Sequence, residues 1–128
     1  MIVAGIGCRK GAAAAAVEAA IMTALAARGL GADELAAVAT SSSKGEEPGI
    51  KAAAAALGVP FVTIAQPELE AAGHRIATKS QRVLARTGVG SLAEAAALAA
   101  AGSGAQLLAQ RVAVGAVTCA LAQSKIAP

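Results

Sequence analysis

The sequence predicts an α/β domain built on a mixed sheet, parallel through its N-terminal strands and completed by a C-terminal antiparallel pair. Short apolar runs alternate with alanine-rich helical stretches through the first half, a pattern that calls for a parallel sheet with right-handed crossovers. The helical stretches end at glycines, as helices commonly do. The tail instead carries two apolar runs on either side of Gly115, which reads as a strand pair.

The elements follow in order. Met1 to Ile6 holds Ile2, Val3 and Ile6 and is expected to be a short buried strand. From Ala12 to Arg28, Val17, Ile21 and Leu25 recur every fourth position on one helix face, alanine fills most of the rest, and Gly29 or Gly31 supplies the stop. Asp33 is placed to cap a single turn through Leu35, and Ala37 to Ser41 is the second strand. Pro48 to Leu57 forms the second helix, with proline at the first helical position, where its missing N–H costs nothing. Gly58 closes it, Pro60 to Ile64 is the third strand, and Pro67 starts a short helix ending at Gly73. His74 to Gly90 shows no regular period. Ser91-Leu-Ala-Glu94 has the form of a capping box for a helix from Leu92 to about Ala101, ended by Gly102-Ser-Gly104. The tail strands are Gln106 to Ala109 and Val117 to Leu121.

With 128 residues and no visible repeat or linker, the chain is expected to form one domain, 1–128, around one core. Its 56% hydrophobic content is misleading, because 39 residues are alanine and Glu18 and Glu94 interrupt the longest apolar runs. Neither run approaches the roughly 20 residues of a spanning helix. The start is too short for a signal peptide, so a cytoplasmic protein away from membranes is expected. Cys8 and Cys119 read as free thiols, and the single His74 leaves no zinc-ligand spacing, so neither metal nor cofactor is expected. A net charge of +3 with Phe61 as the sole aromatic disfavours nucleic acid, whose readers need stacking platforms or dense basic faces. An anionic small molecule fits better.

Ligands of open α/β sheets bind outside the carboxyl ends of the strands, and three loops expected there carry functional residue types. The first, Gly7-Cys-Arg-Lys-Gly11, combines a glycine turn, a helix N-terminus and the cations Arg9 and Lys10, which suits phosphate or carboxylate, or equally a plain turn with two solvated cations. Gly5, Gly7 and Gly11 also resemble a variant dinucleotide fingerprint, but Thr40 to Ser43 offers no acidic ribose partner. The second loop, Ser41 to Gly49, places Lys44 near Glu46 and Glu47. A carboxylate there is a candidate general acid or base, Glu47 above all, against the plainer reading that both acids complement the helix dipole. The third loop, Thr87-Gly88-Val-Gly-Ser91, follows a basic stretch of Arg75, Lys79, Arg82 and Arg86 with no acid between Glu70 and Glu94. Ser91 reads as a cap, and Arg82 and Arg86 as groups that reach a ligand. Cys8 is read as lining the site, because a nucleophilic thiol needs a base and His74 belongs to no assigned element; Cys119 reads as core.

Taken together, Gly5-Ile-Gly-Cys-Arg-Lys-Gly11 after a short strand, Ser41 through Lys44 to Glu47-Pro-Gly49, Thr87-Gly-Val89 with Glu94-Ala-Ala-Ala97, and the closing Val117-Thr118 resemble the CobE/CbiG C-terminal domain family of cobalamin biosynthesis. The resemblance runs nearly the whole length. It implies a three-layer α/β/α domain that binds or acts on a precorrin, a polycarboxylated tetrapyrrole, in company with other cobalamin pathway enzymes. In CbiG proteins the domain is fused to other regions and associated with opening a ring lactone, a hydrolase-type activity. The domain standing alone resembles the CobE branch. Arg9, Lys10, Lys44 and Arg82 or Arg86 would then engage ring carboxylates, with Gly7, Cys8, Gly11, Ser41, Thr87 and Gly88 around them. The competing expectations are a carrier that hands the intermediate between enzymes, and a small hydrolase or transferase for another anionic metabolite using Glu47 or Cys8.

Overall fold

A computed structural model describes residues 1–8, 11–72, 92–102 and 104–124, with Lys44 and Gln110 described by their backbone. Its strands are β1 (Ile2–Cys8), β2 (Leu35–Ser41), β3 (Phe61–Ile64), β4 (Gln106–Val114) and β5 (Val117–Gln123). The helices are α1 (Ala14–Ala27), α2 (Pro48–Leu57), α3 (Gln66–Ala72) and α4 (Leu92–Ala101), with 3-10 turns at Ala32–Glu34 and Ser42–Lys44. The sheet order is β3-β2-β1-β5-β4. β1, β2 and β3 pair in parallel, and β5 runs antiparallel to both β1 and β4. The architecture is the expected α/β domain with a mixed sheet.

Period-two alternation along β1 divides the core into two layers. Ile2, Ala4 and Ile6 join Val117, Cys119 and Leu121 of β5 under α1 and α2, whose Val17, Ile21, Leu25 and Ile50 are fully buried. Val3, Ala37, Ala39 and Ala122 face the other way, against Leu69 and Ala72 of α3 and the alanines and Leu98 of α4. The result is three layers, helices on both faces of one sheet. Every residue from Ala93 to Leu98 is buried, as expected for a helix that is apolar nearly all round.

Gly5 lets α4 settle so close, and Gly7 makes room for Thr118 of β5. A Cβ on Gly5 would collide with the Ala93 carbonyl oxygen and lie 2.6 Å from the Ala97 amide nitrogen. A Cβ on Gly7 would come within 2.8 Å of Thr118 Oγ1. These residues therefore belong to the strand and its packing. The strand expected to stop at Ile6 continues to Cys8, and of the three glycines in that stretch only Gly11, at φ +82°, shapes the turn.

Helix ends follow the sequence closely. At α1 the Leu30 N–H reaches the Leu25 carbonyl and the Gly29 N–H the Ala26 carbonyl, with Gly29 at φ +70°. This double bond pattern is the Schellman stop. Pro48 opens α2 and Gly58, at φ +72°, closes it. Asp33 is not the cap of the short turn after α1: it lies inside the turn, and the Glu34 carboxylate accepts the Gly31 N–H at 2.9 Å. The tail strands run longer than expected because β5 is flanked on both sides and β4 absorbs two bulges, between Leu107 and Ala109 and between Ala109 and Val112. At the second bulge the Arg111 N–H turns to the buried Glu94 carboxylate, 3.0 Å away, so Glu94 ties α4 to β4.

No helix among the described residues is long and apolar enough to cross a membrane. Burial pushes the Cys119 thiol up from 9.0 to about 12. The folded chain thus holds this proton more tightly than the unfolded chain. Stability from this group is undiminished below pH 9 and falls as pH rises from there toward 12, by at most roughly 1.4 kcal/mol per pH unit. Urea melts across that range should show the decline, and Cys119→Ala should flatten it. Gly5→Ala should cost about 1–3 kcal/mol in the same melts, through displacement of α4.

Candidate functional site at the carboxyl edge of the sheet

β1 is the point where the chain changes sides. From it the chain proceeds through α1 to β2 and through α2 to β3 in one direction along the sheet, while β5 and β4 fill the other. In open α/β sheets the carboxyl end of such a strand is where ligands bind. Hydrogen bonding there departs from the regular ladder. Parallel pairing of β1 with β2 runs from Ile2 to Gly5, and beyond it the buried Thr40 hydroxyl donates to the Ile6 carbonyl at 2.8 Å. On the other side the Thr118 hydroxyl donates to the Gly7 carbonyl at 3.1 Å.

Several elements converge on this edge. α1 and α2 begin here, following β1 and β2, and neither has an acidic residue in its first turn or a capping side chain at its N-terminus. Leu92 and Ala93 lie near Gly7 while Ala97 lies near Gly5, so α4 also points its N-terminus to this edge. Cys8 faces Val117, which brings the two-residue β4–β5 turn, Gly115-Ala116, alongside. Three helix N-termini therefore aim partial positive charge toward one rim.

Of the residues expected from the sequence to form the site, the structure gathers Gly7, Cys8, Gly11, Ser41, Lys44 and Glu47 at this rim. Gly7 and Cys8 are strand residues here. Cys8 packs half-buried against the α1–α2 core, well before the Ala13 N-cap and not in a helix first turn. Ser41 ends β2, is buried, and shares a 2.7 Å hydrogen bond with the Ser43 hydroxyl. Lys44 ends the short 3-10 turn that follows. Arg9, Lys10, His74, Arg75, Lys79, Arg82, Arg86, Thr87, Gly88 and Ser91 lie outside the described residues.

The two neighbouring acids part company. Glu46 extends into solvent and pairs with Lys51 at 3.6 Å. Glu47 occupies the N-cap position of α2 without capping it; its carboxylate instead accepts the Gly11 N–H at 2.9 Å, joining the first two loops. The first loop was expected to offer its amides to a ligand anion, and in the structure one of them already holds a carboxylate of the chain. Sequence reading missed Thr40 and Thr118. Both are threonines inside apolar strands, where a hydroxyl at a strand's end was the available signal.

The fold is a three-layer α/β domain on a mixed sheet, and comparison with known proteins gives its family. The chain belongs to the family described as cobalamin synthesis G C-terminus, which matches residues 2–122. It is 39% identical over 121 residues to Protein CobE of Sinorhizobium sp., covering 94% of this chain and 79% of that protein. The crystal structure of CobE, a protein from the cobalamin (vitamin B12) biosynthetic pathway, superposes with a TM-score of 0.92 at 35% identity, over 100% of this chain and 93% of the other. The cobalamin biosynthesis protein chiG from Agrobacterium tumefaciens gives 0.75 at 45% identity, over 98% and 100% of the two chains. A cobalamin biosynthesis protein G homolog from Sulfolobus solfataricus shares the fold, with a TM-score of 0.71 at 21% identity. There this chain spans 37% of the longer protein.

Thr40→Val would leave the Ile6 carbonyl buried without its donor. A stability loss of roughly 1–3 kcal/mol is expected in urea melts.

Proposed function

We propose that the carboxyl edge binds a polycarboxylated corrin-ring precursor of the cobalamin pathway. The observation that carries this reading is the adjacency of two strand-end loops. Both lead into helix N-termini free of acidic first-turn residues, and in sequence they bear Arg9, Lys10 and Lys44. A tetrapyrrole presents carboxylates around a broad, largely apolar ring. It is better matched by a spread rim of cations and amides than by a deep pocket, because each carboxylate needs its own donor. Arg82 and Arg86, in the basic stretch preceding α4, would supply further cations, with Thr87 and Gly88 leading to that helix. Membership of the cobalamin family supports the ligand class.

Glu47 is the carboxylate that the fold brings into this rim, and a hydrolase reading would use it as general base on a ring lactone. A carrier reading needs only the cations. Mixing the protein with pathway intermediates and following absorbance and product mass separates the two. A changed mass, lost in Glu47→Gln while binding remains, marks an enzyme. A coloured complex that elutes unchanged, and that associates with a neighbouring pathway enzyme, marks a carrier.

Replacing Arg9 and Lys10 together by alanine should weaken binding of a corrin polycarboxylate by about tenfold or more. The salt dependence of binding should flatten as well, since fewer charge contacts remain to be screened. Titrations unchanged in both affinity and salt response would exclude the rim.

A further inference from the structure

Resting on that reading, we infer that Glu47 and Gly49 are positioning residues, which lock the first carboxyl-edge loop at Gly11 and Ala12 to the start of α2 and so preorganise the rim for its ligand. Two independent contacts make the lock. One is the hydrogen bond from the Gly11 N–H to Glu47 Oε2, 2.9 Å long and spanning 36 positions of sequence. The other is a direct approach of backbones. Gly49 is buried in the first turn of α2, and a Cβ there would collide with the Ala12 carbonyl oxygen and sit 3.1 and 3.2 Å from the carbonyl carbons of Ala12 and Ala13.

Glycine is present at 49 for space. Its φ is not positive, unlike those of Gly11 and Gly58, so no special backbone conformation demands it. What it permits is contact between α2 and the segment that leads into α1. Glu47 is likewise selected by place, since its neighbour Glu46 turns outward to Lys51. Pro48, between the two contacts, holds the first helical residue at a fixed φ and stiffens the junction.

In sequence, the two segments joined by the lock each adjoin charges that the rim would use. Arg9 and Lys10 immediately precede Gly11 in sequence, and Lys44 comes three residues before Glu47. Freeing a loop from a fixed geometry raises the entropy that a ligand must remove on binding. Because the Glu47 bond is exposed, its loss should leave the folded state nearly intact and appear mainly in ligand affinity.

The test uses cobyrinic acid, a corrin carrying free carboxylates, titrated by absorbance into the full chain and its variants. Glu47→Ala should weaken binding roughly five- to tenfold with an unchanged melting temperature. Glu47→Gln, whose amide oxygen still accepts the Gly11 N–H, should stay within about twofold of the parent. Hydrogen exchange at the Gly11 amide should quicken in Glu47→Ala and not in Glu47→Gln. Gly49→Ala should weaken binding at least as much as Glu47→Ala, with a lowered melting temperature, because its Cβ must displace the Ala12 backbone. If it fails to fold, the two Glu47 variants decide. Binding by Glu47→Ala within about twofold of the parent, or a loss that merely tracks loss of folded protein, would overturn the inference. If removing Arg9 and Lys10 also leaves affinity unchanged, the rim reading fails; if only that double variant weakens binding, the rim stands and the lock falls.

Discussion

The close contact of α4 with β1 is the constraint from which the rest of the structure follows. The central strand carries glycine at positions 5 and 7, and the facing helix surface is built of alanine, so backbone meets backbone with scarcely a side chain between. A chain with 39 alanines and one aromatic residue has few bulky side chains with which to fill a thick interlayer space. It reaches interior packing density by bringing its layers together. The larger residues, Ile6, Ile21, Leu25, Ile50 and Leu121, are concentrated on the opposite face under α1 and α2. The two faces therefore differ in thickness, and β1 is pinned between them.

Pinning β1 also determines where chemistry can occur. Its carboxyl end lies between β2 and β5, and the regular ladder stops short of it on the β2 side. The Thr40 hydroxyl takes the place of the ladder at the Ile6 carbonyl on the β2 side, and the Thr118 hydroxyl adds a bond to the Gly7 carbonyl within the β5 ladder. The strand end is thus held by the β5 ladder on one side and by a threonine hydroxyl on the other, and the loops beyond it open at the edge where three helices begin. A fold that orients several helix N-termini toward one rim has an intrinsic preference for anions before any side chain is counted. In the function proposed above, the carboxylates that border corrin precursors are the anions this preference serves.

Much of the fold was legible in the sequence because local signals and tertiary demands agree here. α2 and α4 have the expected boundaries, marked by Pro48 with Gly58 and, at the end of α4, by Gly102. Gly29, Gly58, Gly102 and Gly115 all adopt positive φ where stops or turns were expected. The misreadings share a cause. Gly7 reads as part of a turn because glycine punctuates chains locally, whereas the need for glycine at 5 and 7 is set by elements that arrive far later in the sequence, α4 against Gly5 and Thr118 of β5 against Gly7. Asp33 was assigned as a cap on residue type, while Glu34 one position on has the reach to close the turn. At the site, the meeting of the Gly11 and Glu47 loops could be inferred from strand order. The bond between them could not, since nothing local distinguishes Glu47 from Glu46.

The central claim is that the carboxyl edge of the sheet is the tetrapyrrole-binding face. The most direct measurement is to follow backbone amide resonances while the protein is titrated with cobyrinic acid. The account predicts that the largest changes fall at Gly11, at Ser42 to Glu47 and at the first turn of α4. The opposite edge, at Gly29 to Glu34 and Gly58 to Pro60, should stay unchanged. Perturbations concentrated at that opposite edge, or none at saturating ligand, would contradict it.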